Sequence, residues 1–359
     1  MRKNHLLVLN YVMDEEDQLL SHQAEIVNLI AREFDHISVL TGRIGKVTIP
    51  SNVTLKSYNW VRGKKISNVF NLIKSYIQIK KGNDISIVFS HMTFMQSLVI
   101  LPITKFQKVK HYLWYAHKSK NTYLQFSARL FDGLITSTRD SCPVKNENVY
   151  PIGQTINSDK FTPKNWIDYP IRKLVHIGRF DPIKNVSEII RVVEKSRVHF
   201  PNLTLEIIGS ASSISSTKYE QEVKSQFVHS VTQGWLKFFP GVSREEIPYI
   251  LEKSHAFIHS CNAALDKVIL EANLSNVPVI TSNEEFIKSF GSWTENTDVK
   301  NVDLYAELNV ALNTSKTELE KIVSQRYQET LANHELKGWT TRLLKVINSW
   351  VIFVIQWCD

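Results

Sequence analysis

Two cationic side chains lie close together in the segment GRFDPIKN, residues 178–185, which follows an apolar run and leads into a helix-like pattern. Arg179 and Lys184 are five residues apart across a turn that Pro182 restrains. Arg binds phosphate through a planar fork and Lys binds it as a point charge, so the pair could grip one diphosphate. The alternative is that both are ordinary solvated surface cations.

A second candidate segment is LDKVILEA, residues 265–272, which has the pattern of a helix start. Asp266 lies near the predicted N-cap, so Lys267 and the N–H groups of the first turn would face a bound phosphate. Asn276 follows the predicted helix end, where Asn tolerates the left-handed conformation. The alternative is that Asp266 is only a cap and that Glu271 is a solvated helix residue.

Several common catalytic motifs are missing. The sequence has no G-x-G-x-x-G after its first strand, no H-E-x-x-H, no G-x-S-x-G and no D-x-D, and GRIGK at 42–46 is too short for a phosphate loop. Without paired carboxylates to hold Mg²⁺, no metal is expected, and cations and helix N-termini must neutralise a diphosphate. The three cysteines are far apart, which argues against a disulfide framework or a zinc site and for a reducing compartment.

Short apolar runs alternate with helix-period segments along most of the 359 residues, as is typical of parallel α/β sheets. Strands are predicted at 6–12, 36–42, 53–58, 85–91, 111–117, 133–138, 148–153, 173–180, 203–210, 237–241, 256–260 and 277–281. Residues 159–173 contain two prolines and no periodicity, which is typical of a linker. The pattern therefore predicts two tandem doubly wound, Rossmann-like domains, 1–165 and 172–335, with ligands at the carboxyl ends of their strands.

The motifs occur in an order that resembles the retaining glycosyltransferases of family 4. The carriers are GRFDPIKN, IIGS, FFPGVSREEIPYILEKSHAFIHS and LDKVILEANLSNVPVIT, with WYAHKS (114–119) and TINSDKF (155–161) in the first half. The resemblance covers roughly residues 5–335. It implies the GT-B fold, in which two Rossmann-like domains face each other across a cleft. It also implies that a final helix at 338–359 packs back on the first domain.

The resemblance implies roles for individual residues. Arg179 and Lys184 would neutralise the donor diphosphate, and Glu271 would hold the nucleotide ribose, since a carboxylate can accept from two vicinal hydroxyls. His117, at the end of its predicted strand in WYAHKS, would contact the donor sugar beside the reaction centre.

The base pocket and the sugar end of the site also follow from the resemblance. Gly209, Gly241 and Val242 would form walls of the base pocket. The family's first Glu of E-x7-E, which usually contacts the sugar, would stand eight residues before Glu271, and this chain has Ala263 there.

Two further histidines are acceptor-site candidates. His91 ends the strand next to that of His117, and His22 lies at the start of the first helix. The loop before that helix holds four acids at 14–17. These acids could bind acceptor hydroxyls or could simply favour the helix N-terminus.

The first half of the chain is basic. Residues 1–165 have 22 Lys and Arg against 12 Asp and Glu, a balance of +10, whereas the remainder has 21 against 23. Such a half could meet an anionic membrane, or the charge could serve solubility alone. Nucleic acid is not expected, because clustered aromatic-basic motifs are missing.

Residues 62–81 form a predicted helix with basic residues at 62, 64, 65, 74, 80 and 81. Its apolar stripe consists of Ile66, Val69, Phe70, Ile73 and Ile77. We expect the stripe to pack on the sheet, although contact with an anionic membrane could coexist with that packing.

The termini lead to a prediction of a cytoplasmic protein, peripheral on the inner face of a membrane. The first apolar run meets acids at once and is predicted to be a strand and not a signal peptide. No apolar stretch approaches the roughly 20 residues that span a bilayer. The tail is apolar on nearly every face from Trp350 onward, so Trp350, Phe353 and Trp357 could alternatively touch a membrane.

The sequence therefore predicts a retaining glycosyltransferase that moves a sugar from a nucleotide-diphosphate sugar to a hydroxyl of a saccharide or lipid-linked acceptor, in cell-surface polysaccharide or glycolipid assembly. Two alternatives stay open. One is a GT-B-shaped nucleotide-sugar-binding protein without turnover, which Ala263 would suit, and the other is a sugar-nucleotide epimerase.

Overall fold

The structure is a computed structural model that describes residues 5–17, 20–261, 263–295 and 298–355, with the backbone alone for 349–355. The chain divides into two compact units. The N-terminal unit comprises Met1–Thr155 with Leu336–Asp359, and the C-terminal unit comprises Ile156–Glu335. Each unit is built on its own parallel sheet, with helices between most successive strands.

The described residues of the N-terminal unit form a seven-stranded sheet in the order β3-β2-β1-β4-β5-β6-β7, with every neighbouring pair parallel. The strands are β1 (His5–Met13), β2 (His36–Ile44), β3 (Val53–Ser57), β4 (Ile85–His91), β5 (Lys110–Trp114), β6 (Gly133–Thr136) and β7 (Val149–Pro151). The helices are α1 (His22–Ile30), α2 (Lys65–Gly82), α3 (Phe94–Phe106), α4 (Thr122–Ser127) and the last helix of the chain, α13 (Leu336–Ile355).

The central strand β1 is buried on both faces, which explains its continuous apolar run. Leu6 and Val8 point to a core that includes residues of α1 and α13. Leu7 and Leu9 point to the opposite core, which includes residues of α2 and α3. The helices that follow the strands therefore cover both sides of the sheet.

Helix α2 buries a different face from the one predicted. Ile66 and Phe70 are 88% and 65% exposed, and Val69 and Ile77 are exposed with them. The buried face consists of Asn68, Leu72, Ser75, Tyr76 and Ile79. Both stripes have helical spacing, so periodicity cannot distinguish them. The Asn68 side chain is satisfied inside because it bonds both the N–H and the C=O of Val61.

The described residues of the C-terminal unit form a five-stranded parallel sheet in the order β10-β9-β8-β11-β12. The strands are β8 (Lys173–Ile177), β9 (Thr204–Ile208), β10 (Leu236–Phe239), β11 (Ala256–His259) and β12 (Val279–Thr281). The helices are α5 (Val186–Ser196), α6 (Ile214–Gln226), α7 (Val228–Thr232), α8 (Ile247–Glu252), α9 (Lys267–Leu274), α10 (Glu284–Phe290), α11 (Leu304–Asn313) and α12 (Lys316–His334).

The segment 159–173 is packed and does not behave as a free linker. Ile167 and Ile171 belong to a core of the C-terminal unit. The ammonium of Lys164 donates to the carbonyl of Ser254 at 2.6 Å and to Asp168 at 2.7 Å. The lack of periodicity therefore reflects irregular backbone on a structured surface.

Two predicted helix ends have different outcomes. The prediction at Asn276 is confirmed: its φ is 53°, just after α9, and its side chain donates to the carbonyl of Lys164 at 3.0 Å. The spacing of Ser243 and Glu246 in the sequence predicts a capping box, but α8 begins at Ile247 and neither side chain caps it. The Glu246 carboxylate instead accepts from the N–H and the hydroxyl of Ser243.

Among the described residues, no helix combines the length and apolarity that crossing a bilayer requires. Trp357 lies outside the described residues, and the side chains of Trp350 and Phe353 are not among those described.

Helix α13 should be essential for the stability of the N-terminal unit. Trp339 is fully buried, and its ring lies 5.4 Å from that of Trp114 and 6.4 Å from that of Phe89, centroid to centroid. We expect Trp339→Ala to lower the free energy of unfolding by about 3–5 kcal/mol through lost burial and a cavity. Urea unfolding measures the change.

The control is Phe106→Ala in the same unit, because Phe106 is 90% exposed. Its change should stay within about 0.5 kcal/mol. Equal losses in the two variants would contradict the packing of α13 on this sheet.

Candidate functional site

The candidate site lies in the C-terminal unit at the carboxyl ends of β8 and β11. These neighbouring strands lead to opposite sides of the sheet, since β8 continues to β9 and β11 continues to β12. Such a switch point opens a crevice between the two outgoing loops, where parallel α/β sheets bind ligands. Both candidate segments of the sequence, 178–185 and 265–272, leave the sheet here.

The loop after β8 is a compact turn that places its two cations differently. Asp181 caps the 3₁₀ turn Pro182–Lys184 by accepting from the N–H of Ile183 at 3.2 Å. Arg179 is exposed and has no ion-pair partner within the described part of the chain. The Lys184 side chain is only 12% exposed. The turn thus directs one cation to solvent and the other into the crevice.

The backbone at Gly178 passes so close to Gly209, at the end of β9, that position 209 has room only for glycine. A Cβ at this position would stand 1.8 Å from the carbonyl oxygen of Gly178, so no other residue fits without movement. Gly178 donates its N–H to Ile208 at 3.0 Å, which holds the two strand ends together. Gly209 therefore fixes where the cationic turn leaves the sheet.

Asp266 joins the two loops. Its carboxylate oxygen Oδ2 accepts from the ammonium of Lys184 and from Nε2 of His259, the latter at 2.9 Å. Burial alone would raise the pKa of Asp266, but the His259 hydrogen bond and the Lys184 charge outweigh it and hold that pKa well below its usual range. Asp266 is therefore an anion at neutral pH.

Asp266 occupies the N-cap position of α9 but does not cap it. Its position at the N-cap is as predicted, but its side chain makes no capping hydrogen bond to the first turn, so the alternative that Asp266 is only a cap is wrong. The carboxylate is turned towards Lys184 and His259 instead. Lys267 begins the helix, as predicted, and is partly buried.

His259 ends β11 and is held on both ring nitrogens. Nδ1 lies 3.1 Å from the hydroxyl oxygen of Thr281, and Nε2 faces Asp266. Burial lowers the pKa of His259 below its usual value, so the ring is neutral at neutral pH. No sequence motif indicated this histidine, because its partners lie 7 and 22 residues away.

The same place contains a set of metal-type ligands that the sequence did not predict. Within the described part of the chain, His259, Cys261 and Asp266 are the one group of side chains that could hold a metal ion, with ligand atoms within 4.8 Å of one another. The Lys184 ammonium already bonds the Asp266 oxygen of this set. Burial raises the pKa of the Cys261 thiol, so the thiol is protonated at neutral pH.

Glu271 on α9 is 1% exposed, so the solvated alternative is wrong. Its Oε1 accepts from the guanidinium of Arg244, and its buried Oε2 has no hydrogen-bond partner among the residues that the structure describes. Burial raises the pKa of Glu271, and the charges of Arg244 and Lys267 oppose that rise. Arg244 was missed because it lies 27 residues from Glu271, in a segment whose spacing indicated only a helix start.

The other predicted pocket residues lie on the turn after β10. Gly241 is exposed, and its N–H donates to the hydroxyl of Ser210 at 2.8 Å, which ties this turn to the one after β9. Val242 is partly buried against a core that includes residues of α9. Ala263 is partly buried, and its carbonyl accepts from Asn283 at 3.3 Å.

The three predicted histidines of the N-terminal unit have different environments. His117 is exposed after β5, with its ring edge-to-face on Tyr115 at 5.6 Å. His91 is buried and stacks on Phe89 at 5.8 Å. His22, at the start of α1, meets His91 edge-to-face at 5.7 Å, so the structure brings these two acceptor candidates together.

Three of the four acids in the first loop form ion pairs, and a role of these acids towards an acceptor stays a prediction. Asp14 and Asp17 pair with Arg43 beyond β1, and Glu16 pairs with Lys46 at 2.7 Å. They connect the loops after β1 and β2.

Removing Arg244 tests how much the buried Glu271 carboxylate depends on the positive charge of Arg244. We expect Arg244→Ala to lower the free energy of unfolding by roughly 2–4 kcal/mol at pH 7, because it leaves a buried carboxylate without its counter-charge. The loss raises the folded-state pKa of Glu271 further above its unfolded value. The variant therefore keeps its stability at pH values below the unfolded-state pKa of Glu271 and loses it as the pH rises through the folded-state pKa. Its loss of unfolding free energy relative to the wild type should grow from pH 4.5 to pH 7.

Urea unfolding across this pH range measures the effect, and Arg244→Ala/Glu271→Gln is the control. The neutral amide should remove the pH dependence and recover part of the stability. A defect of the same size at every pH would contradict the assigned pair.

Comparisons with known proteins agree with this geometry. Residues 159–306 match the family model described as glycosyl transferases group 1. No curated protein sequence matched the chain. The fold is similar to a glycosyltransferase from Rickettsia africae, with 11% identity, a TM-score of 0.74 and coverage of 97% of this chain and 99% of that one.

Two further solved structures extend the likeness. HepE from Anabaena in complex with UDP and glucose has 13% identity and a TM-score of 0.72, over 96% of this chain and 100% of that one. Sucrose-phosphate synthase from Thermosynechococcus elongatus has 10% identity and a TM-score of 0.75, over 98% and 100%. The chain therefore has the GT-B fold, and its residues 159–306 are similar to the glycosyl transferases of group 1.

Proposed function

We propose that this chain is a retaining hexosyltransferase that moves a sugar from a nucleotide-diphosphate sugar to a hydroxyl of a saccharide or lipid-linked acceptor. The observation that carries the proposal is the position of Arg179, Lys184 and Lys267. These cations come from the two loops that flank the β8/β11 crevice. The structures of HepE with UDP and with UDP-glucose support a nucleotide diphosphate as the ligand of this fold.

The reaction needs stabilisation of a departing diphosphate. The bond between the anomeric carbon and the diphosphate oxygen breaks, and a bond from that carbon to the acceptor oxygen forms on the same face. The acceptor proton passes to the leaving diphosphate. Arg179, Lys184 and the start of α9 provide preorganised positive potential where the negative charge develops.

Glu271 fits the ribose role in part. Arg244 occupies Oε1, while the buried Oε2 has no partner in the described part of the chain and can accept from a hydroxyl. We assign Gly209, Gly241 and Val242 to the base pocket and His117 to the donor sugar, and His22 and His91 to the acceptor side. Ala263 offers no carboxylate to the sugar, which is the observation that favours a binding protein without turnover as the second candidate.

The exposed face of α2 supports a peripheral membrane location on the cytoplasmic side. Its outward stripe of Ile66, Val69, Phe70 and Ile77 is flanked by six basic residues between 62 and 81, and residues 62–82 contain no acid. Apolar side chains can enter the interface while the cations meet anionic headgroups. A lipid-linked acceptor would be found at such a surface.

Arg179 gives the sharpest test of the diphosphate grip, because it is exposed and unpaired within the described residues. We expect Arg179→Ala to lower kcat/KM for the nucleotide sugar about 100-fold while leaving the unfolding midpoint unchanged. Lys184→Ala should lower both the rate and the stability, since Asp266 loses its counter-charge. Transfer assays with a nucleotide-sugar panel, NMR of the product's anomeric configuration and urea unfolding measure these changes.

Ile183→Ala is the matched control, because Ile183 is exposed on the same turn and carries no charge. Its rate should stay within about twofold, and a chelator should leave the wild-type rate equally unaffected. A wild-type transfer rate in Arg179→Ala would contradict the assignment of Arg179 to the donor diphosphate. Nucleotide binding without transfer would favour the binding protein, and product without any acceptor would favour an epimerase.

The α2 surface is tested by vesicle binding. We expect Ile66→Ser/Phe70→Ser to weaken binding to vesicles of phosphatidylcholine with about 30% phosphatidylglycerol by roughly tenfold, because apolar area no longer enters the bilayer. Wild-type binding should fall as salt rises, since the cations are screened. Ile214→Ser is the control, because Ile214 is 94% exposed on the C-terminal unit. Equal binding by all three proteins would contradict the assigned surface.

A further inference from the structure

His259 ends β11, beside the turn that carries Arg179 and Lys184, and is not itself one of the cations of the site. We propose that His259 is a positioning residue, which holds the Asp266 carboxylate on Lys184 and away from the start of α9, and so presets the diphosphate grip. This inference rests on the proposed function, because it assigns the grip to a diphosphate.

The protons in this chain of contacts have one consistent order. A carboxylate only accepts hydrogen bonds, so Nε2 of His259 must carry the proton that Asp266 receives. In the neutral ring Nδ1 is then an acceptor, and it takes the hydroxyl proton of Thr281. The Thr281 oxygen in turn accepts from the N–H of Asn283 at 3.0 Å. Every hydrogen of this chain points towards Asp266.

Asp266 has a competing partner that it does not use. An Asp at an N-cap usually accepts from the second or third N–H of its helix, and here that hydrogen bond is missing. Both observed donors, His259 and Lys184, meet the same oxygen, Oδ2. Without the His259 donor, the carboxylate could rotate onto α9. Lys184 would then lose its fixed position, and the helix N–H groups would be covered.

The His259 ring is a rigid reference point for this arrangement. It ends a central strand, is fully buried, and packs beside the rings of Phe257, at an interplanar angle of 22°, and His176, at 30°. Lys184 lies on a short 3₁₀ turn that has no such packing. His259 therefore acts on Lys184 through Asp266 and does not itself contact the donor.

The test compares His259→Leu, which removes the donor, with His259→Gln, which keeps an N–H near the place of Nε2. The probe is inorganic pyrophosphate, measured by titration calorimetry on the full-length protein. His259→Leu should weaken pyrophosphate binding about tenfold and raise the KM for the nucleotide sugar by a similar factor, with kcat changed less than about threefold. His259→Gln should restore both to within about threefold of the wild type.

His111→Leu is the matched control. His111 is a fully buried strand histidine with two side-chain partners, Ser90 at 2.8 Å and Thr104 at 3.2 Å, but it belongs to the N-terminal unit. Its loss should reduce stability without changing pyrophosphate affinity. Circular dichroism confirms that each variant is folded. If His259→Leu does not fold, His259→Gln and Thr281→Val test the proposal instead. His259→Gln should bind pyrophosphate as the wild type does, and Thr281→Val should bind it more weakly.

Two outcomes would overturn the inference. One is unchanged pyrophosphate affinity in folded His259→Leu, or in Thr281→Val where His259→Leu does not fold. The other is a His259→Gln defect equal to that of His259→Leu, which would mean that ring shape and not the N–H donor matters. Either result leaves the proposed function standing if the wild type transfers sugar. A wild type that transfers no sugar would sink the proposed function, while the pyrophosphate comparison would still decide the role of His259.

Discussion

The hydrogen bonds that Asp266 accepts from Lys184 and His259 join the loops after β8 and β11, and the geometry of the donor site depends on them. Magnitudes explain why the carboxylate makes this choice. Capping a helix is worth about 1 kcal/mol, whereas a hydrogen bond to a charged group contributes about 1.5–3 kcal/mol. Two such bonds outweigh one cap. The site therefore gives up local helix stability to fix a cation beside the crevice.

The ammonium of Lys184 takes a place that resembles that of a metal ion. His259, Cys261 and Asp266 converge there, and one covalently attached positive charge already binds the carboxylate. A protonated thiol and a histidine that donates from Nε2 favour an ammonium over a divalent cation, since metal ligands must present lone pairs. A tethered cation also needs no recruitment from solution, so it is present whenever the chain is folded.

The sequence predicted the sheets well and the side-chain partners poorly, for physical reasons. Fully buried parallel strands are continuous apolar runs, so each of the twelve predicted strands overlaps an observed one. Helix α2 shows the limit of periodicity, because two stripes have the same spacing and only tertiary contacts decide which one is buried. Arg244 lies 27 residues from Glu271 in the sequence, and Lys184 lies 82 residues from Asp266. A local sequence pattern cannot reveal pairs that are so far apart. The family motif order identified Lys184 and Glu271, but it assigned no role to Arg244 or His259, although both lie in the segment 238–260 that carries the resemblance.

Two of the cations at the site are paired with carboxylates before any donor arrives. Lys184 is neutralised by Asp266 and Arg244 by Glu271, while Arg179 stays unpaired among the described residues. In the proposed function, a diphosphate would share Lys184 with Asp266, and that competition would reduce the free energy of diphosphate binding. The same competition helps the nucleoside diphosphate product to leave, because Asp266 reclaims the ammonium as the product departs. Since product release limits many enzymes that sequester their substrates, a grip weakened by an internal carboxylate favours turnover over tight binding. Asp266 thus serves the reaction twice, first by positioning the cation and then by competing for it.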